Sequence, residues 1–389
     1  MMYRWGHGVE PMQDLNRSAM SRKPGERSPV PLPTAALATA LDEFRRAQFE
    51  LADTLRRAQG NAIEAIGLGA RECRHRVVAS GPFWRLRDYG GGCNRSASLL
   101  VIAAPIKRPY IWDLAPSASA IRFCLRQDLH VYLLEWALAS ASAGNLGLED
   151  YVQAIADCVA TIGDSAAGGA PVIIGHSLGG TLAAIYAAFA PETIRCLALL
   201  AAPLCFQPGK SRFRDVLISL VPPDLSQARP FPGSLLSHMS MLASPGTFVW
   251  SRLIDAALSM ADRHALEIHA RVERWALDEV PLPGRLVHEI IDWLYREDRL
   301  CSGALTIDGM PVGPRCIKAP TLVVVSTADE IAPVASVEPF LAAMRAKDVQ
   351  MIEVPGETGV CLQHVGVLIG REAHARLWPK IIAWIDARL

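Results

Sequence analysis

Between residues 98 and 201, short runs of continuously apolar residues alternate with segments of helical periodicity. A strand that is apolar on both faces must be covered on both faces, so this alternation predicts a mostly parallel, doubly wound sheet between layers of helices. The predicted strands are Ser98–Ala104, His130–Trp136, Pro171–Ile174 and Ile194–Ala201, after a hairpin at Cys73–Ala79 and Phe83–Tyr89, and the predicted helices are Ser117–Arg126, Leu148–Ile162 and Thr181–Ala190.

The alternation stops at Pro203 and resumes with Thr321. Residues 204–315 contain helical segments separated by prolines and lack strong strand signals. We therefore predict an α/β core of residues 71–203 and 316–389, interrupted by a helical lid over a site. The resumed pattern comprises strands at Thr321–Ser326 and Val349–Val354 and helices at Val334–Ala346 and Arg371–Leu389.

Two further segments precede the core. Residues 1–33 are polar and rich in proline, and we expect a disordered tail, within which Met20 is an alternative start. Residues 34–70 contain an amphipathic helix that extends to about Ile66. Its apolar face is expected to pack on the main domain, and the alternatives are a dimer interface or attachment to a hydrophobic surface such as a lipid inclusion.

Composition narrows the classes of partner and compartment. Lysine plus arginine and aspartate plus glutamate number 39 each, so no basic face for nucleic acid is expected. Residues 1–33 lack the apolar region of a signal peptide, and polar residues interrupt the longest apolar region, Pro171–Phe206. The sequence therefore predicts a soluble cytoplasmic protein without a transmembrane segment.

The nine cysteines are odd in number, scattered and without a Cys-x-x-Cys pair. This pattern favours reduced thiols over a disulfide framework. We see no His/Cys cluster with zinc-like spacing and expect neither a metal nor another cofactor.

Residues 175–179, Gly-His-Ser-Leu-Gly, match the Gly-x-Ser-x-Gly pattern between an apolar strand and a small-residue helix. This context is that of a nucleophile elbow, in which Ser177 occupies a strained turn with its hydroxyl exposed. Gly175 and Gly179 flank it because side chains there would collide with neighbouring backbone. The alternative is an ordinary glycine-rich turn between a strand and a helix.

A serine hydroxyl needs a base, and the base in turn needs a carboxylate. His364 follows the last predicted strand, with His374 as its main competitor. Asp329 follows the strand Thr321–Ser326, with Glu330 as a weaker rival. The order Ser177, Asp329, His364 matches the Ser, Asp, His order of the α/β-hydrolase fold, and we predict that fold.

The oxyanion formed in acyl transfer needs two backbone N–H donors. Leu178 directly follows the nucleophile, and Ile106 follows Pro105, which has no N–H. We predict these two residues as the oxyanion hole. Lys107 and Arg108 at the same rim either meet an anionic group or are solvated loop charges. Cys361 lies near His364 but has no elbow around it, so we do not expect it to be the nucleophile.

Several separated segments resemble polyhydroxyalkanoate synthases, and the resemblance covers about residues 35–389. The segments are Ala104–Leu114, Trp275 with Asp278–Arg285, Leu294–Leu300 and Thr327–Pro333. The resemblance implies a Cys-Asp-His site, whereas this chain has Ser177 in the elbow. The segment before His364 follows the Gly-His pattern of that family only loosely.

The serine changes the expected chemistry. Synthases hold the growing chain as a thioester, and an acyl-serine is a less activated oxygen ester that water can hydrolyse. We therefore expect a serine hydrolase of hydroxyacyl esters or acyl-CoA thioesters, with a homodimer or polymer-granule surface as further partners. The alternatives are a synthase-type acyltransferase that uses serine, a non-catalytic granule-associated scaffold, and a lid that admits unrelated esters.

Overall fold

The computed structural model describes residues 34–90, 97–137, 145–165, 169–222 and 230–389. The predicted tail, residues 1–33, lies outside the described residues. The chain divides into two compact units, Met1–Arg45 and Arg46–Leu389, and the predicted core and lid both lie in the second.

Strands and helices alternate through most of the larger unit. The strands are β1 (Arg76–Ser80), β2 (Trp84–Asp88), β3 (Ser98–Ile102), β4 (Asp113–Ala115), β5 (Ala118–Ser119), β6 (His130–Trp136), β7 (Val172–His176), β8 (Cys196–Leu200), β9 (Leu305–Ile307), β10 (Met310–Val312), β11 (Thr321–Ser326) and β12 (Val349–Val354). The α-helices are α1 (Thr34–Ile63), α2 (Ala120–Arg126), α3 (Leu148–Ser165), α4 (Leu178–Phe189), α5 (Arg212–Leu220), α6 (Gly233–Ala243), α7 (Ser251–Ser259), α8 (Arg263–Ala276), α9 (Gly284–Glu289), α10 (Arg299–Ser302), α11 (Glu338–Ala343), α12 (Gln363–Ile369) and α13 (Trp378–Asp386).

Shorter helical turns join these elements. They are 3₁₀ turns at Pro109–Trp112, Pro314–Cys316 and Val334–Ser336 and π-helical turns at Glu64–Leu68, Gly246–Trp250, Ile290–Arg296 and Ala373–Leu377. Within the described residues, none of the helices combines the length and the apolar character that a bilayer crossing requires.

An eight-stranded sheet forms the centre of the larger unit, with the order β1-β2-β6-β3-β7-β8-β11-β12. The first two strands pair antiparallel with their neighbours, and the other six run parallel. The predicted α/β-hydrolase architecture, with its mostly parallel sheet, is therefore confirmed.

Successive residues of the central strands enter two separate hydrophobic cores. In β3, Leu100 and Ile102 join one core, whereas Leu99 and Val101 join the other. Because adjacent side chains of a strand point to opposite faces, both faces of the sheet are covered. This is the physical reason that the strands read as continuous apolar runs rather than as alternating patterns.

Helices α5 to α10 lie within the predicted lid segment, residues 204–315. Among the described residues, isolated β-bridges join Lys107 to Glu279 and Phe231 to Leu282. The Val280 amide also donates to the Ile106 carbonyl at 3.0 Å. The predicted lid is thus hydrogen-bonded to the segment that follows β3.

Several elements differ from the sequence-based predictions. The predicted helix Val334–Ala346 is a 3₁₀ turn at Val334–Ser336 followed by the shorter α11, because Pro339 in the first turn of α11 has no N–H to continue the helical ladder. The predicted helix Ser117–Arg126 begins only after β5.

The β4–β5 and β9–β10 hairpins were not predicted, and β9 and β10 lie where no strand was expected. Each of these strands has two or three residues, too few for a pattern of period two to emerge. The predicted final helix divides into the turn Ala373–Leu377 and α13, because Pro379 in the first turn of α13 has no N–H to continue the helical ladder.

The expectation of reduced thiols was wrong for one pair. Cys205, just after β8, and Cys301, in α10, form a disulfide with an S–S distance of 2.00 Å. The two cysteines are 96 residues apart, and their Cα atoms are brought to 5.1 Å. Only the fold decides such a pairing, because sequence spacing carries no information about it.

Because the sheet is buried on both faces, a cavity made in one of its central strands should lower the free energy of unfolding. Leu100 in β3 is fully buried, so Leu100→Ala should lower the free energy of unfolding by about 2–5 kcal/mol. Leu258→Ala, in a helix where the side chain is 59% exposed, is the matched control and should change it by less than about 0.5 kcal/mol. Urea unfolding of both variants measures the difference, and equal losses would contradict the layered core.

Candidate active site

Ser177 occupies a sharp turn between β7 and α4. Its backbone has φ 54° and ψ −135°, a conformation that non-glycine residues rarely adopt. The Ser177 amide donates to the Leu200 carbonyl at 3.0 Å, and the Gly180 and Thr181 amides donate to the Ser177 carbonyl. Such a conformation costs about 1–3 kcal/mol and persists only where its surroundings enforce it. A nucleophile elbow requires a strained strand-to-helix turn of this kind, so Ser177 remains the candidate nucleophile.

The glycines around Ser177 allow backbone segments to approach closely. A Cβ atom on Gly175 would lie 2.7 Å from the Gly179 carbonyl oxygen, and one on Gly179 would lie 2.4 Å from the Ile102 carbonyl oxygen. Neither distance leaves room for a methyl group, so both positions require glycine. The second contact also presses the elbow against the carboxyl end of β3.

His364 and Asp329 form a buried pair. The Asp329 Oδ2 atom lies 2.7 Å from His364 Nδ1, and Asp329 Oδ1 accepts the Ile331 amide at 2.9 Å. Burial would raise the pKa of the Asp329 carboxyl, but the His364 charge and these two hydrogen bonds outweigh burial and lower that pKa. The carboxylate therefore stays ionised and can stabilise a protonated imidazole.

His364 lies in the first turn of α12 rather than in an extended loop. Because its Nδ1 atom is engaged by Asp329, Nε2 is the ring nitrogen left for proton transfer. No hydrogen bond joins the Ser177 hydroxyl to this ring among the residues that the structure describes. Catalytic hydrogen bonds often form fully only once substrate is bound.

His176 connects the elbow to the segment that holds His364. Its Nε2 atom lies 2.8 Å from the His364 carbonyl oxygen, and the centres of the two rings are 4.7 Å apart. Burial, together with the charge of His364, lowers the pKa of His176 to about 3. His176 is therefore neutral near pH 7 and donates to that carbonyl, which links the His364 backbone to the residue next to Ser177.

The two rival residues have other partners. His374 is half-buried, lies 5.9 Å from the Phe123 ring and bonds the Leu368 carbonyl through Nε2 at 2.9 Å. Glu330 accepts hydrogen bonds from the lid residues Ser244 and Thr247. The structure therefore pairs Asp329 with His364 and leaves both rivals outside the pair.

The two predicted oxyanion donors flank the elbow differently. Leu178 is the first residue of α4, so its amide has no acceptor within the helix. Ile106 lies three residues beyond Ala103, whose backbone is among the nearest neighbours of Gly179, and its carbonyl accepts the Val280 amide. Its N–H remains a predicted donor.

The two basic residues at the rim, Lys107 and Arg108, face carboxylates of the predicted lid. Lys107 Nζ lies 2.9 Å from Glu279 Oε1 and also donates to the Ala276 carbonyl. The Arg108 Nε atom lies 3.9 Å from Asp278 Oδ1. Of the two interpretations left open by the sequence, an anion-binding rim has the weaker support, because both side chains already face lid carboxylates.

The sequence did not reveal Asp255, a buried residue of α7. Its carboxylate accepts the Gly359 and Cys361 amides at 2.6 and 2.7 Å, in the segment that leads to His364. In α7 the usual burial of apolar residues and exposure of charged ones is reversed, because Asp255 is buried while Leu253 and Leu258 are exposed. Helical periodicity alone predicts the opposite orientation, so no local signal identifies this contact.

Burial of the rival histidine predicts a pH dependence of stability. Burial lowers the pKa of His374 from 6.5 to about 4. As the pH falls from about 6.5 to about 4, the unfolded chain binds a proton at His374 that the folded chain excludes, so stability that is complete above this window is lost within it. In urea unfolding, His374→Gln should lose about 1–2 kcal/mol less than the wild type between pH 7 and pH 5.

Replacing the surface residue His75 by Gln is the control for this measurement. That variant should keep the pH dependence of the wild type. An unchanged profile in His374→Gln would contradict the excluded proton.

A sequence profile of the α/β-hydrolase fold family matches residues 116–355. The chain is similar to the poly(3-hydroxyalkanoate) polymerase subunit PhaC of Haloferax mediterranei, with 28% identity over 75% of this chain and 58% of the relative. It is also similar to that of Haloarcula marismortui, with 28% identity over 75% of this chain and 61% of the relative. The chain thus spans about six tenths of the length of these two relatives.

Among solved structures, the chain is similar to a monoacylglycerol lipase of Paleococcus ferrophilus, with a TM-score of 0.50 and 16% identity over 79% of this chain and 99% of that one. This likeness concerns the fold. The profile match and the sheet topology both indicate the α/β-hydrolase fold, and the relatives indicate the branch within it. The chain belongs to the α/β-hydrolase fold family, on the branch that resembles poly(3-hydroxyalkanoate) polymerases.

Proposed function

We propose that the chain is a serine acyl hydrolase in which Ser177 is the nucleophile, His364 the general base and Asp329 its orienting carboxylate. The observation that carries the proposal is the buried Asp329–His364 pair, 2.7 Å apart, hydrogen-bonded through the His364 carbonyl to the residue beside Ser177. A base oriented by a carboxylate, next to a strained serine, is the arrangement that activates a hydroxyl.

In the first half of the reaction, Ser177 Oγ attacks the acyl carbonyl carbon and its proton passes to His364 Nε2. The oxygen of the tetrahedral intermediate accepts hydrogen bonds from the Leu178 amide and, in this proposal, from Ile106. The imidazolium is stabilised by the ionised Asp329. His364 then returns the proton to the leaving alcohol or thiol, and an acyl-serine ester remains.

In the second half, water replaces the leaving group. His364 takes a proton from water, and the resulting hydroxide attacks the acyl-serine carbonyl. Collapse of the intermediate releases the carboxylic acid and returns the proton to Ser177. Net hydrolysis consumes one ester or thioester and one water and regenerates the enzyme.

The substrate class is proposed from the relatives. Their names designate polymerases of 3-hydroxyalkanoates, so hydroxyacyl thioesters or hydroxyacyl ester oligomers are the substrates that this chain should accept. We favour hydrolysis because an acyl-serine is less activated toward a second hydroxyacyl alcohol than the thioester formed by an elbow cysteine.

The same relatives favour a second candidate, an acyltransferase in which a hydroxyacyl alcohol replaces water. A non-catalytic granule scaffold has weaker support, because the costly backbone conformation of Ser177 is retained. Homodimerisation and granule association accompany these alternatives as proposals, in line with the polymerase relatives.

The nucleophile is tested by Ser177→Ala. Removal of the attacking oxygen should lower kcat on a panel of esters and thioesters by a factor of about 10⁴ or more and abolish labelling by a fluorophosphonate. The matched control is Ser219→Ala, which removes an exposed hydroxyl from the lid helix α5 and should leave both readouts unchanged. Residual labelling of Ser177→Ala would assign the nucleophile elsewhere, and an unreactive wild type would favour the scaffold.

The product distinguishes hydrolysis from polymerisation. With 3-hydroxybutyryl-CoA, we expect the wild type to release CoA and free 3-hydroxybutyrate in equal amounts, without polymer. Thiol release can be followed with a disulfide reagent and the acyl product by mass spectrometry. Oligomers in place of free acid would establish the acyltransferase, and Ser177→Cys tests whether a thioester intermediate shifts the product toward oligomers.

A further inference from the structure

The lid and the segment before His364 meet at a cluster of metal-ligating side chains that the proposed mechanism does not use. We propose that His269, Glu273 and Cys361 bind a divalent transition-metal ion of the Zn²⁺ class. One ligand atom from each residue lies within 4.8 Å of the other two. His269 and Glu273 project from α8 one turn apart, and Cys361 lies three residues before His364.

Two of the three distances between ligand atoms lie near those of tetrahedral coordination, and the third is within 4.8 Å. His269 Nε2 lies 3.7 Å from Glu273 Oε1, and Cys361 Sγ lies 3.1 Å from the same oxygen. Ligand bonds of about 2.0–2.3 Å around zinc place neighbouring ligand atoms about 3.3–3.5 Å apart. Small side-chain adjustments therefore allow all three atoms to bind one ion, and water would supply a fourth ligand.

A buried carboxylate orients two of the three ligands. Asp255 Oδ2 lies 2.8 Å from His269 Nδ1, which leaves Nε2 to face Glu273 and Cys361. The same carboxylate accepts the Cys361 amide and so fixes the backbone of the third ligand. A histidine ligand whose other nitrogen donates to a carboxylate is the usual outer-shell arrangement of zinc sites.

The local charges balance with a divalent cation present. Arg252 donates to both oxygens of Glu273, and each carboxylate oxygen retains a second lone pair for a metal. Asp255 and Glu273 together with Arg252 leave one net negative charge, and a Cys361 thiolate would add a second. Metal binding releases the thiol proton to solvent and forms the sulfur–metal bond, so the ion neutralises both charges.

A nucleophilic role for Cys361 fits the cluster less well. The Cys361 thiol is buried, and its Sγ atom lies 3.1 Å from Glu273 Oε1. A reactive cysteine needs an electropositive setting, whereas a carboxylate in contact with the sulfur disfavours a free thiolate. A bound cation removes that conflict.

The site would clamp α8 of the lid to the segment that positions His364. The sequence predicted no metal, because 88 residues separate Glu273 from Cys361 and a histidine and a glutamate one helical turn apart are unremarkable. The inference does not rest on the proposed hydrolase activity, since it requires only the fold.

Cobalt titration of the untagged full chain, with the Cys205–Cys301 disulfide intact, tests the proposal. One equivalent of Co²⁺ should produce a near-ultraviolet sulfur-to-cobalt charge-transfer band, and Zn²⁺ should displace it. Cys361→Ser should abolish the band. Asp255→Asn should weaken Zn²⁺ binding by about 10–100-fold, the usual cost of losing an outer-shell partner.

Cys73→Ser is the matched control, because the Cys73 thiol also contacts a carboxylate, that of Asp113, outside this cluster. This variant should keep the band, and circular dichroism should verify that every variant is folded. A wild type without the band, or a band that survives in folded Cys361→Ser, would overturn the proposal. Activity assays are separate, so failure of this site leaves the Ser177 hypothesis untouched.

Discussion

The close approach of the elbow to the end of β3 is the constraint on which the site depends. Gly179 packs so tightly against the Ile102 carbonyl that no larger residue fits, and Ser177 is held in a rare backbone conformation by hydrogen bonds to β8 and within α4. The free-energy cost of this strained conformation is offset by burial of the central strands on both faces of the sheet. A rigid core therefore fixes a hydroxyl at the point where three segments of the chain converge.

The lid is fastened to this core through buried polar contacts. The Glu279 carboxylate forms ion pairs with Arg56 and Lys107. The Asp255 carboxylate accepts a hydrogen bond from the Gly359 amide, in the segment before His364. The Glu330 carboxylate, in the core, accepts one from the Ser244 hydroxyl in the predicted lid. Apart from Arg56, which lies in α1, these contacts join the predicted lid to segments that flank the candidate site. Burial lowers the pKa of Lys107 to about 8, yet the Glu279 carboxylate opposes this effect, so the ion pair remains a buried electrostatic anchor.

The residue in the elbow separates this chain from the chemistry that its resemblance implies. A synthase-type cysteine stores the acyl group as an activated thioester, whereas serine stores it as an ester. Because the rest of the proposed site needs no change to serve either intermediate, the atom at Ser177 Oγ and the access of water decide between hydrolysis and chain growth. In this proposal the lid controls the access of water, and the elbow residue supplies the attacking atom.

The sequence by itself determined the layered sheet, the elbow and the order of Ser177, Asp329 and His364. These features depend on local patterns: apolar runs, glycines that tolerate close backbone contact, and polar residues at strand ends. Asp329 was predicted because it follows a strand whose carboxyl end lies at the edge where site residues of parallel sheets collect, and His364 because it follows the last strand in the order Ser, Asp, His.

Only the tertiary structure decided which distant residues meet. The Cys205–Cys301 disulfide, the inverted burial of Asp255 in α7 and the grouping of His269, Glu273 and Cys361 join segments that are remote in the chain. The short β9–β10 hairpin also depends on its packing rather than on a pattern of its own. Such contacts depend on how the lid docks on the core, and periodicity within a segment carries no information about the face that a distant segment will cover.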